Sequence, residues 1–559
     1  METEVPHVSS RYKDHMSALI ASDMILLIGP LHHDSSHVFI SGYFAVPKDD
    51  TCSRSILNGK KVSSLCAPPP PVNLLELRRM LKLACEHVGA FWQMDLRHWF
   101  HQIRLTDVST NLLLHRLFNI VWKDNIYKWR NLPMGWSWSP FICQLIAWTL
   151  CLHTEKNESP IFVAEDFSGQ GLPPYVRVAR LLDGAIIGFI CLTYDNIGVF
   201  CSEDSVVVEV RRRILRNMKM FGAVVKDGSN NLFHYNEMRA DRRCRDDETS
   251  KLPVHVGIEF GVIMRHRCKA LQWRIDPKKI CTWTKTTVGI SMSCRFFAAW
   301  CGRIFRWQYV RGGPLFQVEA AIEVLRLTSA SAEKGTWDDL MVLPTALFVS
   351  LSQLWCAVLR NEWTSLTNSS IVSKTVYVFS DASGNDGWGY AVCDHGGLIS
   401  QGGGQWNEST KNLHIFVKEV LAAVWAVQYS KSNSKIVLCI DNTAAKTCVE
   451  RGFSSCRIAN DAIKALYSSI DGNNVMRVER IIGRLNPADR PSHRMSVDIT
   501  MLEPAMRYVE YPQHTPISVS NTPPPNAQGL RHHLDEVHDK EVEEALWWAD
   551  IVTSVDTTW

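Results

Sequence analysis

Two aspartates, Asp95 and Asp195, each close an apolar run with the look of a strand: Gly89-Ala-Phe-Trp-Gln-Met-Asp95 and Ile186-Ile-Gly-Phe-Ile-Cys-Leu-Thr-Tyr-Asp195. A carboxylate at the tip of a buried strand is costly to desolvate, and a divalent cation is the usual compensator. Metal-dependent chemistry is the first expectation. A second set of acids lies far downstream. Asp381 ends the run Val376-Tyr-Val-Phe-Ser380, and Glu419 sits in the apolar stretch Ile415 to Val427. Asp441 follows Lys435-Ile-Val-Leu-Cys-Ile440, and Asp489 lies in Asn486-Pro-Ala-Asp-Arg-Pro-Ser492. Were these four carboxylates to converge, they would repel one another when ionised, and they too would call for metal ions.

The elements that would carry these acids are legible from periodicity. Val38 to Lys48 alternates like strands with a turn at Ser41-Gly42, and Lys48 and Arg54 then fall on a polar loop. Asn73-Leu-Leu-Glu76 reads as a capping box, and Leu74, Leu77, Leu81, Ala84 and Val88 keep helical spacing. A helix over 74–87 therefore feeds the strand ending at Asp95. Arg97 to Ile103 reads as a short helix, Tyr127 to Trp129 as a strand, and 141–152 as an apolar helix. The segment 153–180 reads as an inserted loop. A helix bearing Arg211-Arg-Arg213 precedes Phe221 to Lys226. Arg239 to Asp247 mixes both signs as a solvated loop does, and Val256 to Gly261 reads as two strands around a turn. From 285 to 370 the pattern turns helical and rich in tryptophan, and at Thr375 a new alternating strand begins.

Length and composition set the outer bounds. The 559 residues suffice for three or four domains with real cores. Sixty basic and 57 acidic residues leave a net charge of only +3, so any nucleic-acid groove has to come from local placement. Seventeen cysteines without a Cys-x-x-Cys pair argue for reduced thiols in an intracellular protein, in cytoplasm or nucleus. The first residues lack the pattern of a signal peptide. Asp183, Asp195 and Asn196 interrupt the apolar run Leu181 to Cys201, so no membrane association is expected.

Five segments in one order resemble retroelement reverse transcriptases over most of residues 40–285. Asp95-Leu-Arg-His-Trp-Phe100-His-Gln-Ile-Arg-Leu105 looks like their first palm motif, and Leu132-Pro-Met-Gly-Trp-Ser-Trp-Ser-Pro140 resembles the second. Thr193-Tyr-Asp-Asn196 falls where the family has Tyr-x-Asp-Asp. Val46-Pro-Lys48 with Arg54 and Asn58-Gly59 is similar to the fingers segment, and Val256 to Gly261 to the primer-grip turn. The resemblance implies that Asp95 and Asp195 hold two Mg²⁺ ions, with Mn²⁺ as an alternative, and that Lys48 and Arg54 bind the triphosphate of the incoming nucleotide. It implies that Phe100 excludes a 2′-hydroxyl, that Gly135 lets the backbone approach template or nucleotide, and that Lys226 protonates pyrophosphate. Asn196 departs from the family's second Asp: an amide carbonyl ligates more weakly and removes a charge.

Residues 375–494 look like ribonuclease H, whose acids fall in the order Asp, Glu, Asp, Asp, as Asp381, Glu419, Asp441 and Asp489 do here. The histidine that many of these enzymes place before the last Asp is absent from 472–488, which implies either slow product release or His493 as its substitute. The resemblance implies an α+β right-hand polymerase with fingers, palm and thumb joined to an α/β ribonuclease H-like domain. The implied divisions are an N-terminal extension (1–40), fingers and palm (41–285), a helical thumb or connection (286–372), the ribonuclease H-like domain (373–500) and a tail (501–559). The function it implies is copying a retroelement RNA into DNA and degrading the template. The partners would be an RNA template, an RNA-DNA hybrid, a primer and dNTPs. Asn486 to His493 and the Ser380-Asp-Ala-Ser start resemble DIRS-like elements, including the VIPER elements of kinetoplastids. Neither an Asp-Thr-Gly or Asp-Ser-Gly protease triplet nor an integrase finger occurs, so other retroelement proteins are expected to process and integrate. The competing expectation is a remnant of such an element that binds nucleic acid without polymerase turnover.

Overall fold

The computed structural model describes residues 13–31, 40–47, 53–87, 89–105, 117–156, 158, 161–163, 171–180, 182–234, 238, 252–265, 268–284, 289–365, 375–430, 435–470 and 476–510. The chain divides into two compact units, Met1–Asp276 and Pro277–Trp559.

The first unit is built on an antiparallel sheet of five strands, in the order Asn231–Phe233, Ala90–Asp95, Asn196–Cys201, Ile186–Thr193, Tyr175–Ala179. Helices Ser139–Leu152 and Asp204–Met220 pack against one face. On the other, Phe91 and Phe200 meet Phe260 of the long hairpin Ile258–Arg265/Cys268–Ile275, with ring centroids 5.9 and 5.6 Å apart. A sheet covered on both faces needs apolar residues at successive positions, which is why Ile186–Thr193 runs apolar without alternation. Helix Asp204–Met220 buries Val207, Val210, Ile214 and Met218 at three- and four-residue spacing; Arg212 stays exposed, while Arg213 is buried and paired with Glu209 at 2.7 Å.

Several elements differ from expectation. Gly42 opens the strand Gly42–Pro47 instead of forming a turn, and Arg54 lies in its antiparallel partner Ser53–Asn58, opposite Val46, not on a loop. Lys48 lies outside the described residues, as does Arg239 to Asp247. The expected capping box does not form: Val72 bridges to Leu172 and the Asn73 side chain donates to the Leu172 carbonyl, which holds this stretch extended after Pro68–Pro71. The helix starts later, over Leu77–Glu86. Within 153–180, Tyr175–Ala179 is an edge strand of the central sheet. Only its inward residues Val176 and Val178 are buried, and so short a pattern beside Pro173-Pro174 hides easily in a loop-like composition.

In the second unit, Cys294–Arg311, Glu319–Glu333 and Thr345–Arg360 form the tryptophan-rich helical part, with Trp300 edge-on to Trp355 at 5.9 Å. Ser293 caps the first helix through Phe296 N–H, and Gly312 at φ 71° ends it. A five-stranded sheet follows, in the order Gly397–Gly404, Trp388–Asp394, Thr375–Ala382, Lys435–Ile440, Met476–Arg480. The first three strands are antiparallel, and the last two run parallel to Thr375–Ala382 and to each other. Helix Ile415–Tyr429 lies across one face, burying Val420, Ala423 and Val424. The other face is covered by Leu502, Ala505, Met506 and Val509 of helix Leu502–Glu510, packed with Tyr377, Phe379 and Cys439. The folded residues thus extend past the expected boundary at 500. Among the described residues no helix is long and apolar enough to cross a membrane.

Candidate active sites

Asp95 ends a central strand, and its neighbour across the sheet is Asn196. Asp195 occupies the two-residue turn between Ile186–Thr193 and Asn196–Cys201, and its carbonyl accepts from Leu96 N–H at 2.8 Å. The two aspartates, a hundred residues apart in sequence, are therefore brought to one end of adjacent strands. Tyr194, the first turn residue, has φ 54°, a left-handed conformation that is strained for a side chain of this size. Gln144, fully buried in helix Ser139–Leu152, holds it there: its Nε2 donates to the Leu192 carbonyl and its Oε1 accepts from Tyr194 N–H, both at 2.9 Å. Sequence reading passed over Gln144. Its signal was a lone amide in the run Phe141-Ile-Cys-Gln-Leu-Ile-Ala-Trp148.

Around this turn, Asn196 Nδ2 donates to Asp195 Oδ1 at 3.1 Å. Lys226 Nζ lies 3.6 Å from Asp95 Oδ2, and its backbone N–H donates to the Asp95 carbonyl at 2.9 Å. Half-buried Phe100 stands with its ring 6.2 Å from that of Tyr194. At Gly135, with φ 104°, a Cβ would lie 2.0 Å from the Leu57 carbonyl oxygen, so the protein's own backbone already demands glycine at this position. Of Arg54 only the strand position is described. The carboxylate oxygens of Asp95 and Asp195 suit a hard divalent cation.

The second site gathers three carboxylates. One ligand atom each from Asp381, Glu419 and Asp441 lies within 4.8 Å of the others. Asp381 is the penultimate residue of the strand Thr375–Ala382, Asp441 directly follows the parallel strand Lys435–Ile440, and Glu419 projects from the helix across them. Asp381 and Glu419 are 7% and 6% exposed. Burial, and then the charges of Asp441 and Asp489, push the Asp381 carboxyl up to about 6 against the hydrogen bond from Ser492. Burial, with Asp441 and Asp381, pushes Glu419 up to about 9. Burial chiefly raises Asp441 as well. Glu419 Oε2 is buried with no hydrogen-bond partner, an orphaned acceptor that a divalent cation would satisfy. The donor set fits Mg²⁺.

Asp489 stands outside the trio, close enough for its charge to act on Asp381 and Asp441. It opens the short helix Asp489–Ser492, which can press onto the sheet because a Cβ on Gly389 would lie 2.2 Å from the Ser492 amide nitrogen. Asn486, another residue without an assigned role in the sequence, is buried and donates to the Ser380 carbonyl at 2.9 Å and to Asp381 Oδ1 at 3.4 Å. His493 Nδ1 pairs with Asp386 Oδ2 at 2.7 Å.

No family model matches the sequence, and no curated protein matches it. Three solved structures of foamy viral protease-reverse transcriptase are similar to the chain. That of a complex with RNA/DNA hybrid has a TM-score of 0.46 at 12% identity and covers 85% of this chain and 55% of that one. That of a complex with dsDNA has a TM-score of 0.44 at 12% identity, covering 86% and 85%. That of the dRH form with ds DNA has a TM-score of 0.43 at 11% identity, covering 86% and 72%. At these scores the likeness assigns neither fold nor chemistry, which rest on the residues described above.

Proposed function

We propose that the chain is an RNA-directed DNA polymerase carrying a ribonuclease for RNA-DNA hybrids, and that it copies a retroelement RNA and removes the template. One observation carries this reading: each unit gathers sequence-distant carboxylates at one end of adjacent strands, at Asp95 and Asp195 in the first and at Asp381, Glu419 and Asp441 in the second. In this reading the five-stranded sheet of the first unit is the palm, the hairpin Gly42–Pro47/Ser53–Asn58 belongs to the fingers, and the helices from Cys294 to Arg360 form thumb or connection. The DIRS-like affiliation is supported by the sequence motifs alone.

Bound at either site, a pair of Mg²⁺ ions would stabilise the attacking and the leaving oxygen of an in-line displacement at phosphorus. The chain's own residues set the stage. Asp95 and Asp195 hold the charge at the primer end, with the turn kept in place by Gln144. In this reading Phe100, whose ring lies against Tyr194, refuses a 2′-hydroxyl, and the product is DNA. Lys226, beside Asp95, is placed to give a proton to pyrophosphate. Lys48 and Arg54 take the triphosphate of the dNTP. In the second unit Asp381, Glu419, Asp441 and Asp489 orient the hybrid's RNA strand and the water that cuts it.

A second reading is favoured by the Asn196 amide bound to Asp195 Oδ1: a chain that still holds nucleic acid but no longer polymerises. Primer extension on a poly-ribonucleotide template, first with Mg²⁺ and then with Mn²⁺, separates the two. Product with either ion supports the polymerase. No product from the wild type beside an active Asn196→Asp variant leaves the binding remnant.

A further inference from the structure

Lys418 immediately precedes Glu419, and it is buried, 3% exposed. An ammonium taken out of water is costly unless its donors are used, and a methionine would fill a similar volume without that cost. Lys418 Nζ donates to the Gly384 carbonyl at 2.6 Å and to the Lys411 carbonyl at 2.7 Å, and it lies 5.3 Å from the centre of the Trp406 ring. Trp406 Nε1 in turn donates to the Ser383 carbonyl at 2.7 Å. Two successive carbonyls of one turn are thus held from inside the domain.

That turn, Ser383 to Gly387, starts two residues after Asp381 and closes with Ser383 N–H on the Gly387 carbonyl. It carries Asp386, whose carboxylate accepts from the Ser383 hydroxyl at 3.2 Å and pairs with His493 Nδ1. His493 directly follows the short helix that Asp489 opens, whose Ser492 hydroxyl donates to the Asp489 carbonyl at 2.8 Å. A continuous set of contacts runs from the Lys418 ammonium to the edge of the carboxylate cluster.

We propose that Lys418 is a positioning residue of the hydrolytic site: its ammonium clasps the Ser383–Gly387 turn, and through Asp386 it fixes where His493 stands at the end of the helix that Asp489 opens. This rests on the reading of that site as a ribonuclease. Lys418 touches no substrate; it acts through the turn.

The test is single-turnover cleavage of an RNA-DNA hybrid by the full chain with Mg²⁺, for the wild type, Asp441→Asn, Lys418→Met, His493→Ala and the Lys418→Met/His493→Ala double variant. Hybrid affinity and melting are measured alongside. Lys418→Met is expected to lower the cleavage rate about 10–100-fold, as loss of a group supporting a metal site does, with hybrid affinity within about twofold of wild type. The double variant should lose no more than the worse single variant, because both act through one device. A merely structural role would give multiplied losses. Wild-type cleavage by Lys418→Met, or multiplied losses, overturns the proposal. If Lys418→Met does not fold, Asp386→Asn, at a half-exposed position, decides: the same loss with unchanged melting supports the clasp, and a wild-type rate refutes it. If the wild type itself cuts nothing, or Asp441→Asn still cuts, the ribonuclease reading fails and takes this one with it.

Discussion

Asn196 donates its side-chain amide to Asp195 Oδ1 at 3.1 Å while standing directly opposite Asp95 in the neighbouring strand. Asn196 therefore adjoins both acids of the first site, and its amide engages an oxygen that a metal ion would use. Asn196→Asp removes the donor and adds a carboxylate. Primer extension with Mg²⁺ should rise about tenfold, equivalent to about 1.4 kcal/mol in the barrier, and half-saturating Mg²⁺ should fall. An unchanged or slower rate would show that the amide does not limit metal binding.

Gln144 gives a second test of the same turn. Gln144→Leu leaves the Leu192 carbonyl and the Tyr194 amide without their partner, and each buried group so orphaned costs about 1–3 kcal/mol. The left-handed Tyr194 then loses what holds it. Polymerase rate should drop more than about tenfold while hybrid cleavage by the same chain is unchanged. Calorimetric melting and the two assays on one preparation check this; a wild-type extension rate would mean that the turn holds itself.

The strands that deliver Asp95, Asp195, Asp381 and Asp441 are legible because alternation or an unbroken apolar run marks a strand, and an acid at or just past its end breaks that run visibly. The same logic missed Tyr175–Ala179, where two buried valines are too few to stand out. It placed Arg54 on a loop because polar Ser53, Arg54 and Ser55 carry no period, although Arg54 is paired in a hairpin. At Gly135 the missing Cβ makes room for the Leu57 carbonyl, a contact that only the folded chain reveals. Gln144, Asn486 and Lys418 act through contacts made from distant or separate segments, and local sequence carries only the hint of a polar side chain among apolar ones.

The carboxylate cluster makes the metal-free protein sensitive to alkali. Folding raises Glu419 from 4.5 to about 9 and Asp381 from 3.8 to about 6, so the folded state keeps protons that the unfolded chain gives up. Their contribution is fully present below about pH 4 and is lost as pH rises through those folded values. Glu419→Gln cannot ionise. In EDTA its melting temperature should gain on that of the wild type between pH 5 and pH 9, and added Mg²⁺ should raise the wild type more than the variant. A difference that stays flat with pH would mean that Glu419 is not held protonated.

His255 predicts the opposite slope in the first unit. It is buried beneath the hairpin that carries Asp195, with its ring 5.9 Å from Phe91 and 6.4 Å from Phe200, and a Cβ on Gly198 would lie 2.8 Å from its Nε2. Burial pushes it down from 6.5 to about 4. The folded protein therefore holds it neutral where the unfolded chain protonates it, and its share of stability is complete above pH 6.5 and lost as pH falls toward 4. His255→Gln should melt lower than the wild type at pH 7.5, by about 1–2 kcal/mol for the lost packing. The two curves should then converge as the pH is lowered to 5, because only the wild type has a proton to take up. Hydrogen exchange of the Ile186–Thr193 and Asn196–Cys201 amides reads this locally, free of the carboxylates in the other unit. A constant gap across that range would mean that His255 is already charged in the folded protein, which its apolar surroundings do not support.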